Sequence, residues 1–90
     1  MALTVTYYEP QDPSSYMIAK FGVQVPEWRM EIRNLTVIKK KDGSGWFVAL
    51  PTYKNKETGE WEKVIQFDSK EVFNRFQDAV REAIRPKVNG

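Results

Sequence analysis

Ninety residues, 41% of them hydrophobic and 29% charged, amount to one globular domain, too apolar for general disorder. The net charge is only +2, and the chain has neither cysteine nor histidine. This excludes a disulfide framework, thiolate chemistry, and the commonest general base and transition-metal ligand. The longest apolar run, Trp46-Phe47-Val48-Ala49-Leu50, is far short of the ~20 residues that span a bilayer. Met1-Ala2-Leu3-Thr4 has no leader character, so a cytoplasmic protein without membrane contact is expected.

Taken in chain order, residues 1–15 read as an N-terminal arm. Thr4 to Tyr8 could pair as a short edge strand, but Pro10, Asp12, Pro13, Ser14 and Ser15 break it. From Tyr16 the hydrophobic period is two: Met17, Ala19, Phe21, Val23 and Val25 share one face of a strand that Pro26 stops. A second strand is expected from Trp28, where Trp28, Met30 and Ile32 alternate with Arg29, Glu31 and Arg33. Leu35 and Val37 fall on the opposite phase, so either a bulge sits near Arg33-Asn34, the favoured reading, or both faces of the strand are covered from there. Asp42-Gly43-Ser44-Gly45 is a hairpin turn. Trp46 to Tyr53 makes the third strand, with Pro51 unable to donate to the ladder. A polar loop, Asn55 to Glu60, leads to a fourth strand from Trp61 to Phe67.

The helix follows. Asp68 and Glu71 have the spacing of a capping box. Val72, Phe73, Phe76, Ala79, Val80, Ala83 and Ile84 form one broad apolar stripe, which Pro86 should end. The domain is thus expected over residues 16–86, with 87–90 as a tail. The fold class is α+β, a curved four-stranded antiparallel sheet followed by one C-terminal helix. Four strands at ~4.8 Å spacing are nearly 20 Å wide. A helix ~10–12 Å across covers about half of that face. A homodimer that pools two sheets is the economical way to cover the remainder.

No glycine-rich phosphate loop or metal-ligand spacing is present, so neither an enzyme nor a cofactor is expected. Basic and aromatic side chains are instead interleaved. Lys39, Lys40 and Lys41 stand in one turn, and Tyr53, Lys54, Lys56, Trp61 and Lys63 follow in the next hairpin. Single-stranded nucleic acid is held by cations that track phosphates and rings on which bases stack. The six lysines are therefore candidate phosphate ligands, joined by Lys20, Arg29 and Arg33, and Tyr53 and Trp61 are candidate stacking platforms. The other reading is a protein-interaction module whose lysines serve solubility. Trp46 could be core or surface.

Leu50-Pro51-Thr52-Tyr53-Lys54-Asn55-Lys56-Glu57-Thr58-Gly59-Glu60-Trp61, then Ile65-Gln66-Phe67 and a helix, resembles the positive-cofactor-four transcription coactivator family. The likeness covers residues 35–84 and is sharpest at Tyr53, Gly59 and Glu60. It implies a homodimer with a curved four-stranded sheet that binds single-stranded or melted DNA with little sequence preference. By position, the family's basic turn matches Lys39 to Lys41, and its basic residue after the Gly-Glu loop matches Lys63. Lys54 stands where the family has an aromatic residue and Pro51 where it has an arginine, while Trp61 replaces an aliphatic residue and supplies a ring. A phage-encoded member, working in the host cytoplasm, would suit so small a chain. Leu35-Thr36-Val37-Ile38, Gly45 to Pro51 and Gly59-Glu60 also look like the stage V sporulation protein G family of dimeric nucleic-acid-binding regulators. Both resemblances lead to a small dimeric binder, and a role in replication, recombination or transcription is expected, with proteins of replication or transcription as further partners. The residues leave DNA or RNA open.

Overall fold

Alternating apolar residues build the body of the protein, of which the computed structural model describes residues 2–89. Strand β1 (Thr4–Pro10), β2 (Met17–Val25), β3 (Met30–Lys39) and β4 (Trp46–Ala49) form one antiparallel sheet in that spatial order. A shorter ribbon, β5 (Thr52–Lys54) with β6 (Trp61–Lys63), follows, and helix α1 (Lys70–Asn89) ends the chain. Cross-strand partners share a face, so Val5 opposite Val23, Tyr8 opposite Phe21, Ala19 opposite Val37, and Val37 opposite Val48 mark the core side. Phe21, Val23, Val25, Leu35 and Val37 are fully buried there against Phe76, Val80 and Ile84 of α1. At 25 cal/mol per Å² each such side chain contributes about 1.5–3 kcal/mol. The other side of the sheet carries Lys20, Thr36, Ile38 and Phe47, of which Lys20 and Phe47 are exposed.

The bulge predicted near Arg33-Asn34 is present. Phe21 pairs with Leu35 and Val23 with Ile32, so Gly22 alone faces both Arg33 and Asn34. Asn34 takes a left-handed φ of 63°, a conformation asparagine tolerates better than most residues. Gly22 has a separate reason: the Tyr7 ring lies over it, and an added Cβ would meet Tyr7 Cε1 at 2.5 Å. The Tyr7 hydroxyl accepts from the Asn34 amide at 2.9 Å. One ring thus clamps β1, β2 and β3 at the point where the register shifts.

Several expected boundaries are corrected. The fourth strand of the sheet is β1, not Trp61–Phe67: the short edge strand that Thr4 to Tyr8 could form is present and extends to Pro10. Val5 and Tyr8 pack on the core and explain why the segment is held, while Pro10 is tolerated at the strand's end. The run expected from Trp46 to Tyr53 breaks at Leu50-Pro51, since Pro51 cannot continue a two-sided ladder. Its carbonyl instead accepts from Val64 at 3.2 Å. The strand expected to begin at Trp28 begins at Met30, after a 3-10 turn over Pro26–Trp28 that closes with Arg29 at φ 50°. Ser69, not Asp68, caps α1: its hydroxyl accepts from the Val72 amide at 3.3 Å. The helix also runs through Pro86 to Asn89, so residues 87–89 are not a tail, and Gly90 lies outside the described residues. Val88 packs on the core and offsets the hydrogen bond that Pro86 forgoes.

The radius of gyration is 13.7 Å, against about 12 Å for a compact chain of this length. Nearly all the residues of the ribbon are exposed. Among the described residues, no helix is long and apolar enough to cross a membrane.

Candidate nucleic-acid interface

Where the chain leaves β4 at Leu50-Pro51, the ribbon diverges from β3 and leaves a groove of about 1090 Å³. The lining follows β3 from Met30 to Ile38 on one side and the ribbon on the other. Four exposed rings border it: Tyr16 (67% exposed), Trp28 (62%), Tyr53 (50%) and Trp61 (69%). Lys20 and Arg33 contribute the positive charge and Glu31 the one carboxylate. Arg33 Nη1 donates to Glu31 Oε1 at 3.1 Å, and its guanidinium stacks 4.8 Å from the centre of the Tyr7 ring. The Thr6 hydroxyl and the Arg33 guanidinium hold the Glu31 carboxyl below the usual carboxylate range.

Strand alternation decides how the ribbon presents its side chains. Tyr53 is opposite Glu62, whereas Lys54 is opposite Trp61 and Thr52 opposite Lys63. Trp61, Lys54 and Lys63 therefore share one face, and Tyr53 lies on the other. The two platforms both reach the groove but cannot clamp one base between them. The Tyr53 hydroxyl donates to Glu62 Oε2, which pushes the phenol above its ordinary pKa. Asn55 Nδ2 donates to the same oxygen at 3.5 Å, and the Asn55 carbonyl accepts from Gly59, whose φ of 74° closes the loop. The ribbon is thus held by its own polar contacts.

The remaining candidates are dispersed. Lys39 Nζ donates to the Pro13 carbonyl at 3.1 Å, and the Lys39 amide donates to the carbonyl of Tyr16 at 2.9 Å. Lys40 and Lys41 follow in the exposed turn, where Asp42 accepts from both the hydroxyl and the amide of Ser44. This turn stands at the Tyr16 end of the sheet, while Arg29 stands beside Trp28 at the other. Lys56 lies in the ribbon's loop, and Lys63 borders a different hollow of about 480 Å³ next to the start of α1. Lys20, Arg33, Tyr53 and Trp61 are therefore gathered around the groove, and the other seven candidates are not.

Tyr16 and Trp28 are site residues that sequence reasoning missed. Trp28 fits the apolar alternation of the following strand, and only the 3-10 turn takes it out of that register. The proline before it was the available signal. Trp46 is half-buried on the core, with the Arg81 guanidinium 5.8 Å from its ring. No known family model matches the chain, and no curated protein matches it in sequence.

Proposed function

We propose that the protein is a homodimeric, non-catalytic binder of single-stranded nucleic acid, DNA in the first instance, with little sequence preference. The reading rests on one observation above all: four exposed rings border a single groove that also holds Lys20 and Arg33. Exposed rings are costly in water unless a ligand uses them, and every base offers a face to stack on. Lys39 to Lys41 and Arg29 lie beyond the two ends and would catch phosphates as the strand leaves. Lys54, Lys56 and Lys63 would attract it over a longer range. The dimer is motivated by the open sheet face, where Phe47 remains 42% exposed. Kinship with the positive-cofactor-four or stage V sporulation protein G families belongs to the same proposal, as do a cytoplasmic setting and a role in replication, recombination or transcription.

A labelled oligonucleotide titration at 50 and 200 mM salt tests this. Affinity for the single strand should fall with a slope of about −0.7 per phosphate neutralised. Duplex of equal length should bind more weakly, because its stacked bases cannot reach the rings. Equal affinity for both forms would reduce the interaction to general polyanion attraction. Absence of binding would favour a protein-interaction module, the reading to which the groove's largely apolar walls also lend support.

A further inference from the structure

We infer that two copies of the chain join edge to edge through residues 46–48 of β4, antiparallel and centred on Phe47. This rests on the homodimer proposed above and assigns its interface. The four-stranded sheet has two outer edges, β1 and β4. Natural sheet edges are blunted by proline, by charge or by a bulge. Strand β1 has all three: its register shifts between Val5 and Tyr7, and Glu9 and Pro10 close it. Strand β4, Trp46-Phe47-Val48-Ala49, has none. Among the described residues, no backbone hydrogen bond beyond the β3 ladder reaches it.

The ladder decides which groups are free and which partner fits them. Hydrogen-bonded and non-hydrogen-bonded pairs alternate along an antiparallel ladder. The Lys40 amide donates to the Gly45 carbonyl at 2.9 Å, one step beyond the Lys39 and Trp46 pair, while the Lys39 amide turns the other way, to Tyr16. Phe47 and Ala49 therefore bond to β3, and the N–H and C=O groups of Trp46 and Val48 point outward. An antiparallel partner strand must meet them with outward groups of its own and with its faces aligned. A two-fold axis through Phe47 does this: Trp46 stands opposite the other copy's Val48 on both sides of the axis, and every outward group is bonded. An axis through Trp46 would draw in the turn before β4, and one through Val48 would draw in Leu50, where the strand has ended. At the axis the two Phe47 residues form a non-hydrogen-bonded pair, the kind that brings side chains closest. Phe47 is 42% exposed in the single chain, and its twin would cover it as an aromatic pair. An edge complementary to itself is what an isologous dimer requires. The axis stands perpendicular to the sheet, so both open faces lie on the same side. None of residues 46–48 lines the groove, so each copy keeps its own groove clear while two four-stranded sheets join into one.

A single cysteine at the axis tests the assignment, because the chain has no other. Under oxidised glutathione, Phe47→Cys should form a covalent dimer on a non-reducing gel. The Cα atoms of a non-hydrogen-bonded pair stand about 4.5 Å apart, within the reach of a disulfide. Thr58→Cys, in the ribbon's loop, is the control and should remain a single chain. Sedimentation equilibrium supplies the second arm. The wild type should give twice 10.5 kDa at micromolar concentration. Phe47→Lys and Phe47→Glu each oppose like charges at the axis and should dissociate about tenfold more readily. Mixed one to one they should recover wild-type affinity, since the lysine of one chain then faces the glutamate of the other. Thermal melts monitor folding, and should a charged variant fail to fold, the cysteine arm decides. Charged variants that dimerise as tightly as wild type would overturn this interface while leaving the homodimer intact. So would a Phe47→Cys chain that cross-links no more than the control. A monomeric wild type would remove both the interface and the homodimer, whereas single-strand binding is read separately by the oligonucleotide titration.

Discussion

The absence of a side chain at Gly22 and the exposure of one at Trp61 represent two different demands on single residues. At Gly22 an alanine would press on Tyr7 Cε1 at 2.5 Å and Thr6 Oγ1 at 2.7 Å. Gly22→Ala should therefore cost about 1–3 kcal/mol as overpacking, read from a denaturant titration. Adding Tyr7→Leu should recover part of the loss, because the obstructing ring is gone. Trp61 is 69% exposed, so Trp61→Ala should leave the melting temperature nearly unchanged. Its effect should fall on single-strand affinity, by about 1–3 kcal/mol at every salt concentration, as expected of a stacking contact that releases few ions. A large drop in melting temperature would return Trp61 to a structural role. Asp12 and Asp42 respond to pH. The Ser14 amide and hydroxyl lower the first carboxyl, and the Ser44 hydroxyl and amide lower the second, both from 3.8. A depressed folded-state value stabilises the fold above the unfolded value and is lost as pH falls below it. The melting temperature should therefore drop as pH falls below about 3.8, and less so in the Asp12→Asn, Asp42→Asn chain.

Individual elements show what local sequence specifies. Strand β2, the bulge at Arg33-Asn34, the Asp42–Gly45 turn and the apolar stripe of α1 were legible, because each depends on neighbours within a few residues. What decides β1 is not local: Thr4 to Pro10 is held because the edge of β2 is available and Val5 and Tyr8 have a core to enter. Trp61 to Phe67 has strand composition, yet only Trp61–Lys63 finds a partner. The capping-box spacing misplaces the cap by one residue. Asp68 and Glu71 are three apart as such a box requires, but the first helical hydrogen bond runs from Phe73 to the Ser69 carbonyl. Glu71 accordingly pairs with Arg75 at 2.6 Å instead of reaching back. Ser69→Ala should cost about 0.5–2 kcal/mol in denaturant unfolding, and Asp68→Ala distinctly less. Of the candidate site, the two ribbon rings were legible as exposed. The groove itself was not, because it exists only where β4 ends short of β3 and the ribbon turns away.

Across the whole molecule, positive charge is spread over the turn, the groove and the ribbon, so loss of any one lysine should be modest. Replacing Lys39 and Lys41 together by alanine should flatten the salt slope for single strands by about 0.7 for each phosphate contact removed, with little change in melting temperature. An unchanged slope would remove the turn from the interface. The strand order of the sheet has a further consequence, for the route to the native state. Because β1, β2, β3 and β4 are neighbours in sequence as well as in space, each pairing closes only a short loop. Contacts of such low sequence separation favour rapid formation. The core side is different, since Phe21, Leu35 and Val37 wait for α1, which leaves a ribosome after every strand of the sheet. For the time it takes to synthesise the stretch from Leu50 to Asn89, a nascent sheet would carry a bare apolar face. This is the interval in which the chain is most exposed to misassembly, and α1 is the element whose arrival ends it.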